Sequence, residues 1–129
     1  MLFRSMYQAL TGADLTIYGD GTQTRSLTYV ADEVRGLLAL FDSDHPGPIN
    51  LGGQIEQTIL EIAETIMKVT GTSSRLVFEP LPTDDPTRRR PDISLAREVL
   101  GWEPTTFLLD GLSALRDDYH QRHIVKESR

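Results

Sequence analysis

Short strand-like segments alternate with longer segments of helical periodicity along this chain. In the longer segments apolar side chains recur every three or four residues, the spacing that places them on one face of a helix. This alternation predicts an α/β or α+β fold. The segments at 15–18 and 25–29 fit either a hairpin or two separate strands. The predicted helices cover residues 1–10, 30–41, 59–70, 94–100 and 108–123, and the predicted strands cover residues 15–18, 25–29, 48–53 and 75–79.

Recognisable capping residues mark the ends of some of these helices. Thr58 stands before the third helix and Glu61 follows three residues later, which is the spacing of a capping box. Gly71 comes directly after the same helix, and Gly101 ends the next one, as expected of C-terminal glycine caps. The first helix has no Ser, Thr or Asp before it, which favours a chain that is part of a longer protein.

The composition is that of one folded domain over residues 1–129. Hydrophobic residues make up 39% and charged residues 25% of the chain, as in globular proteins. No apolar segment approaches the roughly 20 residues that a membrane-spanning helix needs, and no signal peptide is visible. The absence of cysteine excludes disulfides, thiolate nucleophiles and zinc-thiolate sites. We therefore expect a cytoplasmic protein with no membrane partner.

The charge balance favours a small anion over nucleic acid as the ligand. A formal net charge of −6 opposes binding to a polyanion such as DNA. All of the 13 basic residues except Lys68 and Lys126 are arginines, whose planar guanidinium contacts phosphate or carboxylate oxygens in pairs.

Two segments place arginines where they can contact such an anion. Tyr18 and Arg25 stand at the two ends of a glycine-containing turn, which can stack a base and hold a phosphate; a plain surface hairpin explains the same pattern. Three consecutive arginines at 88–90 precede Pro91, and a solvated run of charge explains that pattern equally well. Two such segments in one short acidic chain favour convergence on a single anion.

Other patterns predict no catalytic or metal site. They are the glycines at 52–53, the histidines His120 and His123, and the paired aspartates at 84–85 and 117–118. The glycines lack the G-x-G-x-x-G and G-x-x-x-x-G-K-[ST] patterns of phosphate loops and fit a turn. The histidines have no carboxylate partner at a suitable spacing. Adjacent aspartates do not face each other as a general acid and base would, so solvation explains them.

Five motifs in a fixed order resemble the C-terminal part of the extended short-chain dehydrogenase/reductases that act on nucleotide sugars, the NAD-dependent epimerase/dehydratase family. The segment at 84–93 and the last motif most resemble the UDP-glucuronate decarboxylases of that family. The motifs read Tyr-Gly-Asp-Gly-x-Gln-Thr-Arg at 18–25, Tyr-Val-x-Asp at 29–32, Asn-Leu-Gly at 50–52, Arg-Arg-Pro-Asp-Ile at 89–93 and Leu-Gly-Trp-Glu-Pro at 100–104.

This resemblance implies an α/β fold: the substrate-binding part of such an enzyme, with short mixed strands and about five helices, without the N-terminal NAD-binding Rossmann half. By the same resemblance, Arg25 contacts the diphosphate of a UDP-sugar and Tyr18 lies beside the nucleotide. Arg89 reaches the phosphates or the sugar, and Asn50 and Thr58 lie near the substrate. The whole chain, residues 1–129, is then a single nucleotide-sugar-binding part.

The residues that would bind NAD and perform the chemistry are missing from the sequence. Neither the glycine-rich NAD fingerprint nor the Tyr-x-x-x-Lys pair of the family occurs. We therefore expect no NAD binding and no activity by this chain alone. The alternatives are a non-catalytic module that binds UDP-sugars or another protein, or part of a dTDP-glucose 4,6-dehydratase or a UDP-sugar 4-epimerase. Residues 48–52 would join the sheet of a Rossmann half, which predicts an uncovered edge or apolar face and self-association.

Overall fold

A computed structural model describes residues 2–124 and confirms the mixed α/β fold. All five predicted helices are present in this part of the chain, and the last two contain π-helical turns; Met1, assigned above to the first helix, lies outside the described residues. The α-helices are α1 (Leu2–Thr11), α2 (Val30–Phe41), α3 (Ile59–Thr70) and α4 (Leu108–Tyr119); the strands are β1 (Leu15–Tyr18), β2 (Thr24–Ser26), β3 (Glu56–Thr58) and β4 (Leu76–Glu79); the π-helical turns are Ala96–Leu100 and His120–Ile124.

The four strands form two separate pairs. β1 runs parallel to β4, with Leu15 opposite Leu76 and Tyr18 opposite Glu79. β2 runs antiparallel to β3. β1 and β2 therefore do not form a hairpin, although only a short glycine turn separates them. A parallel pair needs a long crossover connection, and α3 lies within the connection from β1 to β4.

The capping residues predicted for α3 are confirmed. The Thr58 hydroxyl accepts the Glu61 backbone N–H at 3.1 Å, and the Glu61 carboxylate accepts the Thr58 N–H at 2.8 Å. Gly71 ends the helix with a φ of 64°, a left-handed conformation that glycine adopts without strain. Because α3 has satisfied ends, it forms a well-defined support for the strands beside it.

The larger core lies between α1, α3 and β1, with α4 packed on the outer side of α3. Alternate residues of β1 point into it, as the period of a strand requires. None of the described helices is long and apolar enough to cross a bilayer. The buried residues of this core are Met6, Ala9, Leu15, Ile17, Ile59, Ile62, Ala63, Ile66 and Leu112.

A second, smaller core surrounds Trp102, which is 1% exposed together with Ile93. Ile49 and Leu51 pack against this cluster. The prediction of a strand at 48–53 is wrong: the segment is irregular, and within residues 2–124 no strand pairs with it. A strand is held by hydrogen bonds to a neighbour, whereas this segment is held by its side chains.

The uncovered apolar surface lies on α2, not on residues 48–52. Helical periodicity predicted α2 correctly, but its apolar stripe faces solvent. Its buried residues are Asp32 and Gly36, and a Cβ at Gly36 would come within 2.9 Å of the Trp102 ring. The helix backbone thus packs directly on the indole. The stripe, called the α2 face below, consists of residues between 48% and 87% exposed: Val30, Val34, Leu37, Leu38 and Phe41.

Candidate anion-binding site

The two arginine-bearing segments begin at neighbouring strand ends. Because β1 and β4 are parallel, their carboxyl ends lie at the same edge. The turn at 19–23 leaves β1 there, and the loop at 80–91 leaves β4. The Gly19 N–H donates to the Glu79 carbonyl at 2.7 Å, which joins the two starting points. Ligands of α/β proteins commonly bind at the carboxyl ends of parallel strands.

Hydrogen bonds also join the later part of the 80–91 loop to the residues of β2. They run from the Thr24 N–H to the Thr87 carbonyl (3.0 Å), from the Arg25 guanidinium to the Pro86 carbonyl (2.8 Å) and from the Ser26 hydroxyl to the Arg89 carbonyl (3.1 Å). Segments 61 to 63 residues apart in sequence thus lie side by side. The structure brings the backbone of Arg89 next to β2, the strand that carries Arg25.

Arg25 is held by its own surroundings. Its guanidinium donates to the Asp85 carboxylate at 2.6 Å and to the Thr24 and Pro86 carbonyls at 2.7 and 2.8 Å, and its side chain is 18% exposed. Within residues 2–124 its Nε–H has no hydrogen-bond partner. The interpretation of Asp85 as a merely solvated residue is therefore wrong, because that carboxylate ties the loop to Arg25.

The three consecutive arginines have different surroundings. Arg88 donates through Nε and one terminal nitrogen to the two oxygens of Glu56, both at 2.6 Å. These hydrogen bonds, outweighing desolvation, lower the pKa of Glu56 from 4.5 to about 2, and the charge of Arg90 contributes. Arg89 is exposed, and no described residue forms a hydrogen bond or an ion pair with its guanidinium. Arg90 is also without a described hydrogen bond or ion pair, but its charge contributes to lowering the pKa of both Glu56 and Asp92.

Tyr18 lies at the edge of the same region. Its hydroxyl accepts a hydrogen bond from Arg4 of α1 at 3.0 Å, and its carbonyl accepts one from the buried amide of Gln23 at 2.8 Å. The turn at 19–23 is therefore stabilised by a hydrogen bond between the residues at its two ends. Sequence reasoning did not find Arg4 or Glu56 because each contacts a residue that is distant along the chain, which no local pattern reveals.

Comparison with known proteins agrees with this architecture. The model of the NAD dependent epimerase/dehydratase family matches residues 1–52. UDP-glucuronic acid decarboxylase 1 of Arabidopsis thaliana is 47% identical over 115 residues, which cover 89% of this chain and 26% of that protein. The chain is thus similar to part of the NAD dependent epimerase/dehydratase proteins. The decarboxylase of Danio rerio is 49% identical over 82% of this chain and 25% of that protein, so the chain spans about a quarter of these relatives.

Solved structures of this family share the fold. A UDP-glucuronic acid 4-epimerase from Bacillus cereus, in complex with UDP-glucuronic acid and NAD, superimposes with a TM-score of 0.87 at 38% identity. The alignment covers 94% of this chain and 40% of that one. The chain therefore corresponds to one part of an epimerase/dehydratase fold.

The glycines at 52–53 do not form a phosphate cradle. A phosphate cradle needs open space above its glycines, but a Cβ at Gly53 would overlap the Leu27 carbonyl and one at Gly52 would meet the Pro91 ring at 2.5 Å. These glycines allow close packing of the chain on itself. Within residues 2–124 no group of three His, Asp or Glu side chains is placed to hold a metal.

The remaining two residues implied by family resemblance lie beside the arginine loop. Thr58 is opposite Thr24 in the strand pair, and its hydroxyl is used in the cap of α3. Asn50 is exposed, two residues before Gly52, which packs against Pro91. Their backbones are near the loop, and only the Asn50 side chain is without a described partner.

A second concave surface lies elsewhere. An open groove of about 1030 Å³ lies between residues 27–30, 53–57 and 103–109 and α4. Its lining is mainly apolar and includes neither Arg25 nor Arg89. Two of its basic residues, Arg97 and Arg122, are ion-paired with Glu103 and Asp118 of the same lining. The segments at 18–25 and 80–91, which begin at the carboxyl ends of the parallel strands, are therefore the candidate anion site.

Proposed function

We propose that this chain is the substrate-binding part of an NAD-dependent nucleotide-sugar enzyme, with UDP-glucuronate as its substrate. The single observation that carries the proposal is the attachment of the 80–91 loop along β2, at the carboxyl end of the parallel pair. Two arginine-bearing segments meet there in a chain 45% to 49% identical to UDP-glucuronic acid decarboxylases. The similarity favours decarboxylation as the reaction of the complete enzyme.

In this proposal Arg89 is the main contact to the diphosphate. It is exposed and has no described carboxylate partner, so its N–H groups can donate to phosphate oxygens without first losing an ion pair. Arg25 contributes its free Nε–H and its positive charge, while Asp85 fixes the direction of its guanidinium. Tyr18 lies beside the nucleotide, and Asn50 and Thr58 lie near the substrate.

Catalysis requires a partner in this proposal. The sequence has no Tyr-x-x-x-Lys pair and its glycines do not form an NAD cradle, so the cofactor and the catalytic base must come from a Rossmann half. The exposed α2 face supports a protein partner, because exposed contiguous apolar surface commonly marks an interface. The same face favours the second candidate function, a module that binds another protein.

Calorimetry with UDP tests the ligand site. The proteins are the wild type and the variants Arg25→Ala, Arg89→Ala and Arg75→Ala, alone and with a complementing Rossmann half. We expect Arg89→Ala to cost about 1.5–3 kcal/mol of binding free energy, as for a charge-assisted hydrogen bond. Arg75→Ala is the matched control, because Arg75 is exposed at the opposite end of β4 with a long 3.7 Å ion pair to Asp14. If UDP binds and both Arg25→Ala and Arg89→Ala leave its affinity unchanged, the diphosphate site is wrong.

A further inference from the structure

We propose that Glu56 is a positioning residue: by holding Arg88, it leaves the neighbouring Arg89 guanidinium free to face the ligand phosphates. This inference rests on the proposed function and adds the residue that keeps Arg88 from competing with Arg89 for the ligand phosphates. Glu56 itself does not contact the ligand in this proposal. It acts through the orientation of the loop.

Glu56 is suited to this role because strand pairing fixes its own position. It stands in β3 directly opposite Ser26 of β2, and its side chain is 16% exposed. The Thr24 hydroxyl donates to the same carboxylate at 3.1 Å. The fork formed by Arg88 occupies both carboxylate oxygens at 2.6 Å. A bidentate pair of this kind fixes direction as well as distance.

The backbone on both sides of Arg89 is held as well. The Thr24 N–H donates to the Thr87 carbonyl at 3.0 Å before it, and the Gln54 amide donates to the Pro91 carbonyl at 2.9 Å after it. The Ser26 hydroxyl donates to the Arg89 carbonyl itself at 3.1 Å. These hydrogen bonds oppose an exchange of Arg88 for Arg89 at Glu56. Among the described residues neither Arg89 nor Arg90 has a hydrogen bond or an ion pair to its guanidinium, but the charge of Arg90 acts on the carboxylates of Glu56 and Asp92.

Because Glu56 is negatively charged, the direction in which its removal changes UDP affinity tests the positioning role. A carboxylate beside an anion site repels the anion, so on Coulombic grounds alone its removal strengthens binding. A positioning role predicts weaker binding. Without Glu56 the Arg88 side chain is free to occupy the space of Arg89, and the Arg89 guanidinium no longer faces the ligand phosphates. A weaker affinity after loss of a negative charge is a result that electrostatics alone does not give.

The first experiment is UDP titration of the full chain together with the Rossmann half. We expect Glu56→Gln to weaken UDP binding about tenfold, equivalent to roughly 1.4 kcal/mol, and the double variant Glu56→Gln with Arg88→Ala, which also removes the competing guanidinium, to bind UDP more tightly than Glu56→Gln alone. Glu64→Gln is the matched control, since Glu64 is an exposed carboxylate on α3. The charge-swapped double variant Glu56→Arg with Arg88→Glu rebuilds the pair at constant net charge, and we expect it to recover most of the affinity.

The second experiment needs no bound ligand. Phenylglyoxal modifies free guanidinium groups, and mass spectrometry maps the modified residues in the folded chain. We expect Arg89 to react faster than Arg88 in the wild type, and the two to react at similar rates in Glu56→Gln. Circular dichroism of each variant verifies that it is folded.

The outcomes separate the two proposals. If UDP neither binds nor protects Arg89 from phenylglyoxal, the proposed function is overturned. If UDP binding depends on Arg89 but Glu56→Gln binds UDP as tightly as the wild type or more tightly, the ligand site stands and the positioning role is overturned. Equal labelling of Arg88 and Arg89 in the wild type also overturns the positioning role.

Discussion

The indole N–H of Trp102 donates to the backbone carbonyl of Asp32 at 2.9 Å, a contact between residues 70 positions apart. The Asp32 carboxylate contacts the segment that follows Trp102, where it accepts the backbone N–H groups of Thr105 at 3.1 Å and Thr106 at 2.9 Å. Arg35 completes the junction with hydrogen bonds to Asp32 and to the Glu103 carbonyl. The polar side of α2 is therefore hydrogen-bonded to residues 102–106, and the α2 face on the opposite side is left exposed to solvent.

Replacement of Asp32 by Asn should destabilise the fold. Asp32 is 4% exposed. One of its oxygens accepts the Thr105 and Thr106 backbone N–H groups, and the other accepts from the Arg35 guanidinium and the Thr105 hydroxyl. An amide has one acceptor oxygen, so one of these two sets of donors loses its partner. We expect Asp32→Asn to lower the free energy of unfolding by about 2–3 kcal/mol. Urea denaturation measures it. Asp44→Asn, in an exposed loop, is the control and should stay within about 0.5 kcal/mol of the wild type; an equal effect of both changes would contradict the role of Asp32.

The contribution of Asp32 should depend on pH in a defined window. Burial raises the pKa of Asp32, but hydrogen bonds from Thr106, Arg35 and Thr105 outweigh it and lower the pKa from 3.8 to about 2. Because the folded-state pKa lies below the unfolded value, the stabilisation is present above pH 3.8 and is lost as the pH falls through about 2. The difference in unfolding free energy between wild type and Asp32→Asn should be constant near neutral pH and shrink in this acidic window. A difference that grows on acidification would refute the assignment.

The Thr58 hydroxyl should matter for the stability of α3. Thr58→Ala removes the acceptor for the Glu61 N–H, which we expect to cost about 1 kcal/mol of unfolding free energy. Thr58→Ser keeps the hydroxyl and should retain most of the stability. UDP titration of the same variants distinguishes the cap from the proposed place near the substrate. If Thr58→Ala weakens UDP binding while the free energy of unfolding is unchanged, the hydroxyl serves the ligand and not the helix.

The α2 face should make the isolated chain self-associate or bind a hydrophobic dye. Leu37→Gln combined with Leu38→Gln removes two of its exposed apolar side chains and should reduce both effects without unfolding the chain, since neither residue is buried. Val77→Thr, at an exposed position of β4, is the control. Sedimentation and dye fluorescence measure the two effects. A wild-type chain that sediments as a compact monomer and binds no dye would count against an interface here.

Local sequence signals predicted the helices and their caps correctly. Periodicity placed α2 and α3, and Thr58, Glu61 and Gly71 defined the ends of α3, because these interactions involve residues three or four positions apart. The same signals failed at 48–53, where an apolar run resembles a strand but packs by its side chains against Trp102. Whether an apolar run becomes a strand depends on a hydrogen-bonded neighbour, which may lie anywhere in the chain.

The sequence by itself determined which segments are helical and that arginines cluster in two segments. Only the tertiary structure decided how those arginines are used. Arg25 is paired with Asp85 and Arg88 with Glu56, while Arg89 stays free. The physical reason is range: helix formation is set by neighbours within one or two turns, whereas the partner of a guanidinium is set by strand pairing and loop attachment between residues more than 30 positions apart.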